Sequence, residues 1–194
     1  MAELQKQQIQ PAYLTLHVGA GTFKPVKADV MEEHEMHAEQ IYISKVLLKR
    51  LMAQQENPII PVGTTSMRSL ESLFWLGAKV LQHPGLPMQE LHVSQWQAYE
   101  TAEPPTAANA LGALLQYMER QGTSYLHAST QIIIAPGYKF RICQGLVTNF
   151  HQPESTLLLL VSALIGENWR SVYEHALENG YRFLSYGDSS LLLP

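Results

Sequence analysis

Little of this sequence is charged, and still less of it is basic. Charged residues make up 15% of the 194 residues, with 13 Lys and Arg against 17 Asp and Glu and a formal net charge of −4. That balance excludes a broad surface that grips nucleic acid through its phosphates. If RNA is a substrate, the basic surface is local or lies on a partner. Cysteine is almost missing: Cys143 is the only one. No intramolecular disulfide can form, which fits a reducing compartment and predicts a cytoplasmic protein. No apolar run approaches the roughly 20 residues needed to cross a bilayer, so no membrane partner is expected. The opening MAELQKQQIQ lacks the charged-then-apolar pattern of a secretory signal. No internal repeat or low-complexity tract is present. What remains is a chain with 46% hydrophobic residues, globular and long enough for one well-packed domain.

The chain is organised around the stretch from Gly145 to Gly166, GLVTNFHQPESTLLLLVSALIG. Leu146 and Val147 begin a short apolar run of strand length, which Asn149, His151 and Gln152 break with side chains that donate and accept. Pro153 suits the first helical position and Glu154 the first turn, where the helix dipole favours an anion. From Thr156 to Ile165 nearly every residue is apolar, which predicts a helix buried on all sides. The bland interpretation is a core strand–helix unit with a polar loop. The functional one places a ligand at that loop, as α/β proteins do after their strands.

A second strand–loop–helix unit runs from Ile59 through Gly63-Thr64-Thr65-Ser66 into a helix with Met67, Leu70 and Phe74 inward and Gly77 as its C-cap. Free N–H groups and hydroxyls at a helix N-terminus bind anions, and Arg68 adds a fork suited to carboxylate or phosphate. Ordinary N-capping by Thr or Ser with an Arg68–Glu71 surface pair explains the same residues equally well. Upstream, Ala12 to Val18 alternates as a buried strand, with Tyr13, Thr15 and His17 on one face. Gly19-Ala20-Gly21 then permits a sharp turn or close approach of a ligand to backbone. His34, His37 and Glu39 have metal-ligand spacing, but no second cluster completes a site, so no metal is expected.

Residues 1–10 read as a frayed tail and 11–194 as a single α/β domain. Ser44 to Glu56, Thr106 to Gln121 and Asn168 to Asn179 are amphipathic helices. Short strands are predicted at Gln131–Ala135, Tyr138–Cys143 and Arg182–Tyr186. Strands alternating with helices predict a largely parallel sheet with helices on both faces, a three-layer α/β/α arrangement.

Six strings in this chain resemble, in the same order, those of the S-adenosylmethionine:tRNA ribosyltransferase-isomerases of queuosine biosynthesis. They are HVGAGTFKPV, HEMHAE, GTTSMRSLES, APGYKF, TNFHQPESTLLLLVSA and YRFLSYGD. The resemblance runs from Leu14 to Leu193. It implies transfer of the ribosyl moiety of S-adenosylmethionine to the 7-aminomethyl-7-deazaguanine base of tRNA, giving epoxyqueuosine, adenine and methionine. S-adenosylmethionine is then a substrate, and no permanently bound cofactor is implied. Such chemistry needs a base beside the sulfonium, an acid for the leaving adenine and a splayed target base. His17 and His151, both at strand ends, are the acid–base candidates. The resemblance favours Thr64, Thr65, Ser66 and Arg68 as an anion site. It makes Gly19 and Gly21 part of a loop lining the site, beside Asn149. Glu154 is a candidate for a ribose hydroxyl or an ammonium.

Family members are longer and carry an N-terminal region that includes a small β-barrel domain. This chain therefore resembles their C-terminal part, is expected to be inactive alone, and is expected to self-associate through the face left bare. Residues 86–127 look like an elaboration on the family pattern. Two other classes stay open: a non-catalytic ligand-binding half that needs a partner region, and an unrelated anion-binding hydrolase with His34 and His37 as ligands.

Overall fold

A computed structural model describes residues 2–17, 34–54 and 57–194. Four strands, β1 (Thr15–His17), β2 (Glu39–Ser44), β3 (His92–Val93) and β4 (Tyr125–Thr130), form a sheet in the order β1-β2-β4-β3. β5 (Leu146–Asn149) and β6 (Ser189–Leu192) form a second, two-stranded sheet. The helices are α1 (Ala2–Lys6), α2 (Lys45–Ala53), α3 (Thr64–Gln82), α4 (Gln97–Glu100), α5 (Ala107–Arg120), α6 (Thr156–Ile165) and α7 (Asn168–Glu178).

The α/β class holds, with a mixed sheet where a largely parallel one was expected. β1–β2, β2–β4 and β5–β6 pair antiparallel, and β3 pairs parallel with β4. The physical reason is clearest at β5 and β6. A single crossover helix returns the chain to start a parallel strand. Here two helices, α6 and α7, lie between the strands, and the second one turns the chain round again. Nor, among the described residues, do helices cover both faces of the four-stranded sheet. Its inner side chains Ile41, Ile43, Leu126 and Ala128 are buried in the core. Its outer positions Gln40, Tyr125 and His127 are exposed among the described residues.

The core is organised on α3, a longer helix than the sequence predicts. Gly77 does not end it. A Cβ at Gly77 would lie 2.2 Å from the carbonyl oxygen of Ala110, so the glycine is where α3 and α5 touch backbone to backbone. Met67, Leu73, Phe74 and Leu76 of α3 and Leu114, Tyr117 and Met118 of α5 are fully buried. The stretch 86–127 thus supplies a principal packing partner of α3, as well as β3. α5 follows its sequence prediction closely. Thr106 caps it by accepting the N–H of Asn109 at 3.2 Å, and Gly122 closes it at φ +62°.

Three predicted strands dissolve. Residues 131–135 run on beyond β4, with Gln131 and Ile133 donating N–H groups to Val93 and Gln95. Residues 138–143 wrap around the carboxylate of Glu71. Residues 182–186 form a turn in which Leu184 takes φ +67°. β1 is an exposed edge strand with only Leu16 half-buried. α6 buries one side alone, through Leu160, Val161, Leu164 and Ile165, while Leu157, Leu158 and Leu159 are half-buried. Among the described residues no helix is long and apolar enough to cross a membrane.

Candidate functional site

The two loops singled out in the sequence come to one place. The extended segment before α3 runs parallel to β5. Val62 bridges Val147, Gly63 N–H donates to the Val147 carbonyl at 2.8 Å, and Val147 N–H donates to Pro61 at 2.9 Å. Because the two segments are parallel, both end on the same side. There the turn Gly63–Ser66 opens α3, and the loop Asn149–Ser155 opens α6. Paired carboxyl ends of parallel strands, each leading to a helix, are where this class of fold binds ligands.

Each loop is built differently. Gly63 is the N-cap of α3 at φ +91°, and no side chain caps the helix. The first-turn N–H groups of Thr64, Thr65 and Ser66 are therefore left without a side-chain acceptor, an arrangement suited to an anion. Thr64 is buried, and Thr65 and Ser66 are half-buried. α6 carries its own cap instead. Ser155 Oγ accepts the N–H of Leu158 at 3.2 Å, so the helix starts at Thr156, three residues later than Pro153 suggested. Glu154 lies before the cap, exposed, with φ +57°. It is outside the first turn and is not held there by the dipole.

Asn149 reaches across to the β6 end, its Nδ2 lying 3.3 Å from the carbonyls of Gly187 and Asp188 and from Ser189 Oγ. His151 is buried. Its Nε2 is 2.9 Å from Thr148 Oγ1, and its backbone N–H donates to the Tyr173 hydroxyl at 3.0 Å. Burial pushes its pKa down to about 4, so the ring is neutral at pH 7. His17 is elsewhere. It ends β1 in the other sheet, exposed, with its ring 5.1 Å from that of Tyr42. Gly19 and Gly21 lie outside the described residues.

Arg68 is neither on the surface nor paired with Glu71. It is buried, donating Nε–H to the Ile132 carbonyl and Nη1–H to Glu39 Oε2, each at 3.1 Å. Its Nη2 is buried with no hydrogen-bond partner in the structure. His37, two residues before Glu39, is exposed. The carbonyl of His34 accepts from the Gln95 side chain. Among the described residues no three His, Cys, Asp or Glu side chains come together as a metal site.

One residue that matters was read only as half of a surface pair. Glu71 is fully buried. Its Oε2 accepts the Tyr138 hydroxyl and the N–H of Arg141, both at 2.9 Å. Its Oε1 accepts the N–H groups of Ile142 and Cys143 at 2.9 and 2.8 Å. Burial raises the pKa of Glu71, and the four donors oppose that rise. The neighbouring Cys143 thiol is pushed well up by burial and by Glu71, so it is inert. Glu71 thereby fixes the segment that leads into β5 and its loop. The only sequence signal is a charged residue inside an otherwise buried helix.

A family profile described as "Queuosine biosynthesis protein" matches residues 1–192. The chain belongs to this family. Curated relatives named S-adenosylmethionine:tRNA ribosyltransferase-isomerase are similar along its whole length. That of Paraburkholderia phytofirmans is 40% identical over 99% of this chain and 44% of its own. That of Legionella pneumophila strain Lens is 37% identical over 100% of this chain and 45% of its own. The crystal structure of S-adenosylmethionine tRNA ribosyltransferase from Thermotoga maritima superposes with a TM-score of 0.60 at 27% identity. The match covers 99% of this chain and 48% of that one. This queuosine-family chain thus spans less than half the length of the relatives it matches.

His151 makes a stability prediction. Its folded pKa is depressed from 6.5 to about 4, so the unfolded chain takes up the proton first as pH falls. Stability should decline between about pH 6.5 and pH 4 and be independent of this residue below that. The contribution is on the order of 3 kcal/mol. Denaturant unfolding of His151→Gln across that window should show a correspondingly flatter decline than the parent; parallel curves would refute the shift.

Proposed function

We propose that this chain takes part in moving the ribosyl moiety of S-adenosylmethionine to the 7-aminomethyl-7-deazaguanine base of tRNA, forming epoxyqueuosine and releasing adenine and methionine. The observation that carries this is the meeting of the Gly63–Ser66 turn and the Asn149–Ser155 loop at one end of a parallel pairing. The uncapped N-terminus of α3 suits the methionine carboxylate, held by the N–H groups of Thr64, Thr65 and Ser66. Arg68 can add only Nη2, since its other donors serve Glu39 and Ile132. Because Glu39 already neutralises it, Arg68 contributes direction more than charge.

His151 is the proton acceptor in this scheme. A neutral imidazole, its ring fixed by Thr148, is available to take the proton that the adjacent sulfonium acidifies. His17 ends β1 in the other sheet and is given no step in this scheme. Gly19 and Gly21 are assigned to the wall of the site, and Asn149 to its floor. Glu154, exposed and at positive φ, is free to reach a ribose hydroxyl. Substrate-borne positive charge and a planar base account for the site without a resident cofactor. The test is adenine release from S-adenosylmethionine by the protein as its own cell makes it, with tRNA bearing the precursor base. His151→Ala should abolish release while S-adenosylmethionine still binds. Undiminished release would remove His151 from the chemistry, and methyl transfer in place of adenine release would overturn the reaction class.

A further inference from the structure

Among the described residues, the outer face of the four-stranded sheet has positions that are exposed or half-buried, and its composition is unusual. Its outward positions carry His17, His92, His127, Tyr42 and Tyr125, with Gln40 between them and Thr or Ser elsewhere. None of them is Lys, Arg, Asp or Glu, and none is Leu, Ile or Val. The rings are already arranged in contact. Tyr42 and His127 stack with centroids 4.4 Å apart and planes 8° from parallel, and His17 lies 5.1 Å from Tyr42 on its other side. Gln40 fixes His127 through a 3.0 Å hydrogen bond, and Ser129 holds His92 at 2.8 Å.

Without aliphatic side chains this face does not suit a packed helix or a second sheet, because there is little apolar area to bury. Without fixed charge it does not suit phosphate. Planar groups with hydrogen-bonding edges suit it: aromatic side chains stack on every base, and imidazoles and amides read base edges. The charge lies at one end. α2 follows β2 directly and contains Lys45, Lys49 and Arg50 with no acidic residue, in a chain of net charge −4. Arg50 reaches the Pro11 carbonyl near the start of β1, which places these cations at the Ser44–Tyr125 end of the face.

We propose that this face is a stacking platform for a single-stranded RNA loop. Bases lie against the Tyr42–His127 rings, and the phosphate backbone passes over Lys49 and Arg50. This rests on the tRNA reading above only for the choice of RNA as ligand. The neutral centre and basic rim also explain how an acidic chain can hold RNA: few phosphates are neutralised, and the bases supply the rest.

The experiment is fluorescence anisotropy of a labelled anticodon stem–loop RNA with the 194-residue chain, in the absence of S-adenosylmethionine, so that catalysis plays no part. Tyr42→Leu should weaken binding roughly 5- to 100-fold, the range for loss of one base–aromatic stack. Tyr42→Phe should bind within about twofold of the parent, since it keeps the ring. Lys49→Ala should lower the slope of log affinity against log salt by about one. Unlabelled duplex RNA should compete poorly. Parent-like binding by both Tyr42→Leu and His127→Leu would overturn the platform. So would equal competition by duplex RNA, or failure of the parent to bind the stem–loop at all, as expected if a second protein chain covers this face. Adenine release is read separately, on the protein as its own cell makes it, so its absence there removes the proposed reaction and leaves the platform standing.

Discussion

Glu71→Ala should be among the most destabilising single substitutions in this chain, lowering stability by about 3–5 kcal/mol. The carboxylate satisfies four donors at once, the hydroxyl of Tyr138 and the N–H groups of Arg141, Ile142 and Cys143. Removing it strands several of them where water does not reach, at roughly 1–3 kcal/mol for each group that finds no substitute. It also leaves a cavity beside Trp75, whose indole N–H donates to Tyr138. For a chain of this length the midpoint of thermal unfolding should fall by on the order of 10 °C. Glu71→Gln should do less harm but still cost more than about 1 kcal/mol, because its amide turns two donors toward others. A melt of Glu71→Ala within a degree or two of the parent would show that residues 138–143 hold their course without the carboxylate.

The second large effect concerns Arg68 and Glu39. Both are buried, and their ion pair ties the beginning of β2 to the second turn of α3. Burial lowers the pKa of Arg68 and the nearby Glu39 raises it, so the pair is held together partly by what each would cost alone. Arg68→Met should destabilise by about 3–5 kcal/mol, since it breaks a buried ion pair from one side and removes the hydrogen bond to the Ile132 carbonyl. With Glu39→Gln added, the double variant should lose less than the sum of the two single losses. Chemical denaturation of the two single variants and the double variant gives the coupling directly. If the two losses simply add, the contact is geometric and not energetic. Loss of S-adenosylmethionine affinity in Arg68→Lys, with the fold intact, would in addition assign Nη2 to the ligand.

These two residues also show where the sequence stops being legible. Helices with one apolar stripe were readable: Ser44 caps α2 as its position suggested, and α5 and α7 fall within two residues of their predicted ends. α3 was not readable in the same way. It is buried nearly all round, yet it contains Arg68, Ser69, Glu71 and Ser72, which a one-stripe pattern assigns to solvent. Only tertiary partners make those positions tolerable. Ser72 pairs with Thr130 at 2.7 Å, and Glu71 with a segment some seventy residues away. Gly77 misled for a related reason. A glycine near a helix end signals a cap locally, and a close helix contact only when the other helix is known.

At the candidate site the same division holds. The loop carrying His151 and the turn carrying Thr64 were visible as polar breaks between apolar runs. Their meeting depends on the parallel bridge from Val62 to Val147, which joins residues far apart in sequence. The QPEST stretch offered two starting points for α6, and the hydroxyl of Ser155 took the cap in preference to Pro153 at the first helical position. His151 reads as an ordinary titrating histidine until its burial is known, and burial is what keeps it neutral. The strand faces were correctly alternating, with His17 opposite Leu16, but alternation does not tell which face lies open.

Strand length in the four-stranded sheet has a consequence for behaviour in concentrated solution. The two six-residue strands, β2 and β4, occupy the middle, and the margins are β1 with three residues and β3 with two. A sheet recruits foreign chains through the unpaired amides of its margins, and a long flat margin is the template on which aggregation grows. Among the described residues, the strands long enough to serve as templates have both sides occupied, and those with a free side are too short to align a partner. An uncharged, ring-rich surface would ordinarily invite fibril growth; brevity at the margins supplies the protection that lysines and prolines give to other sheets.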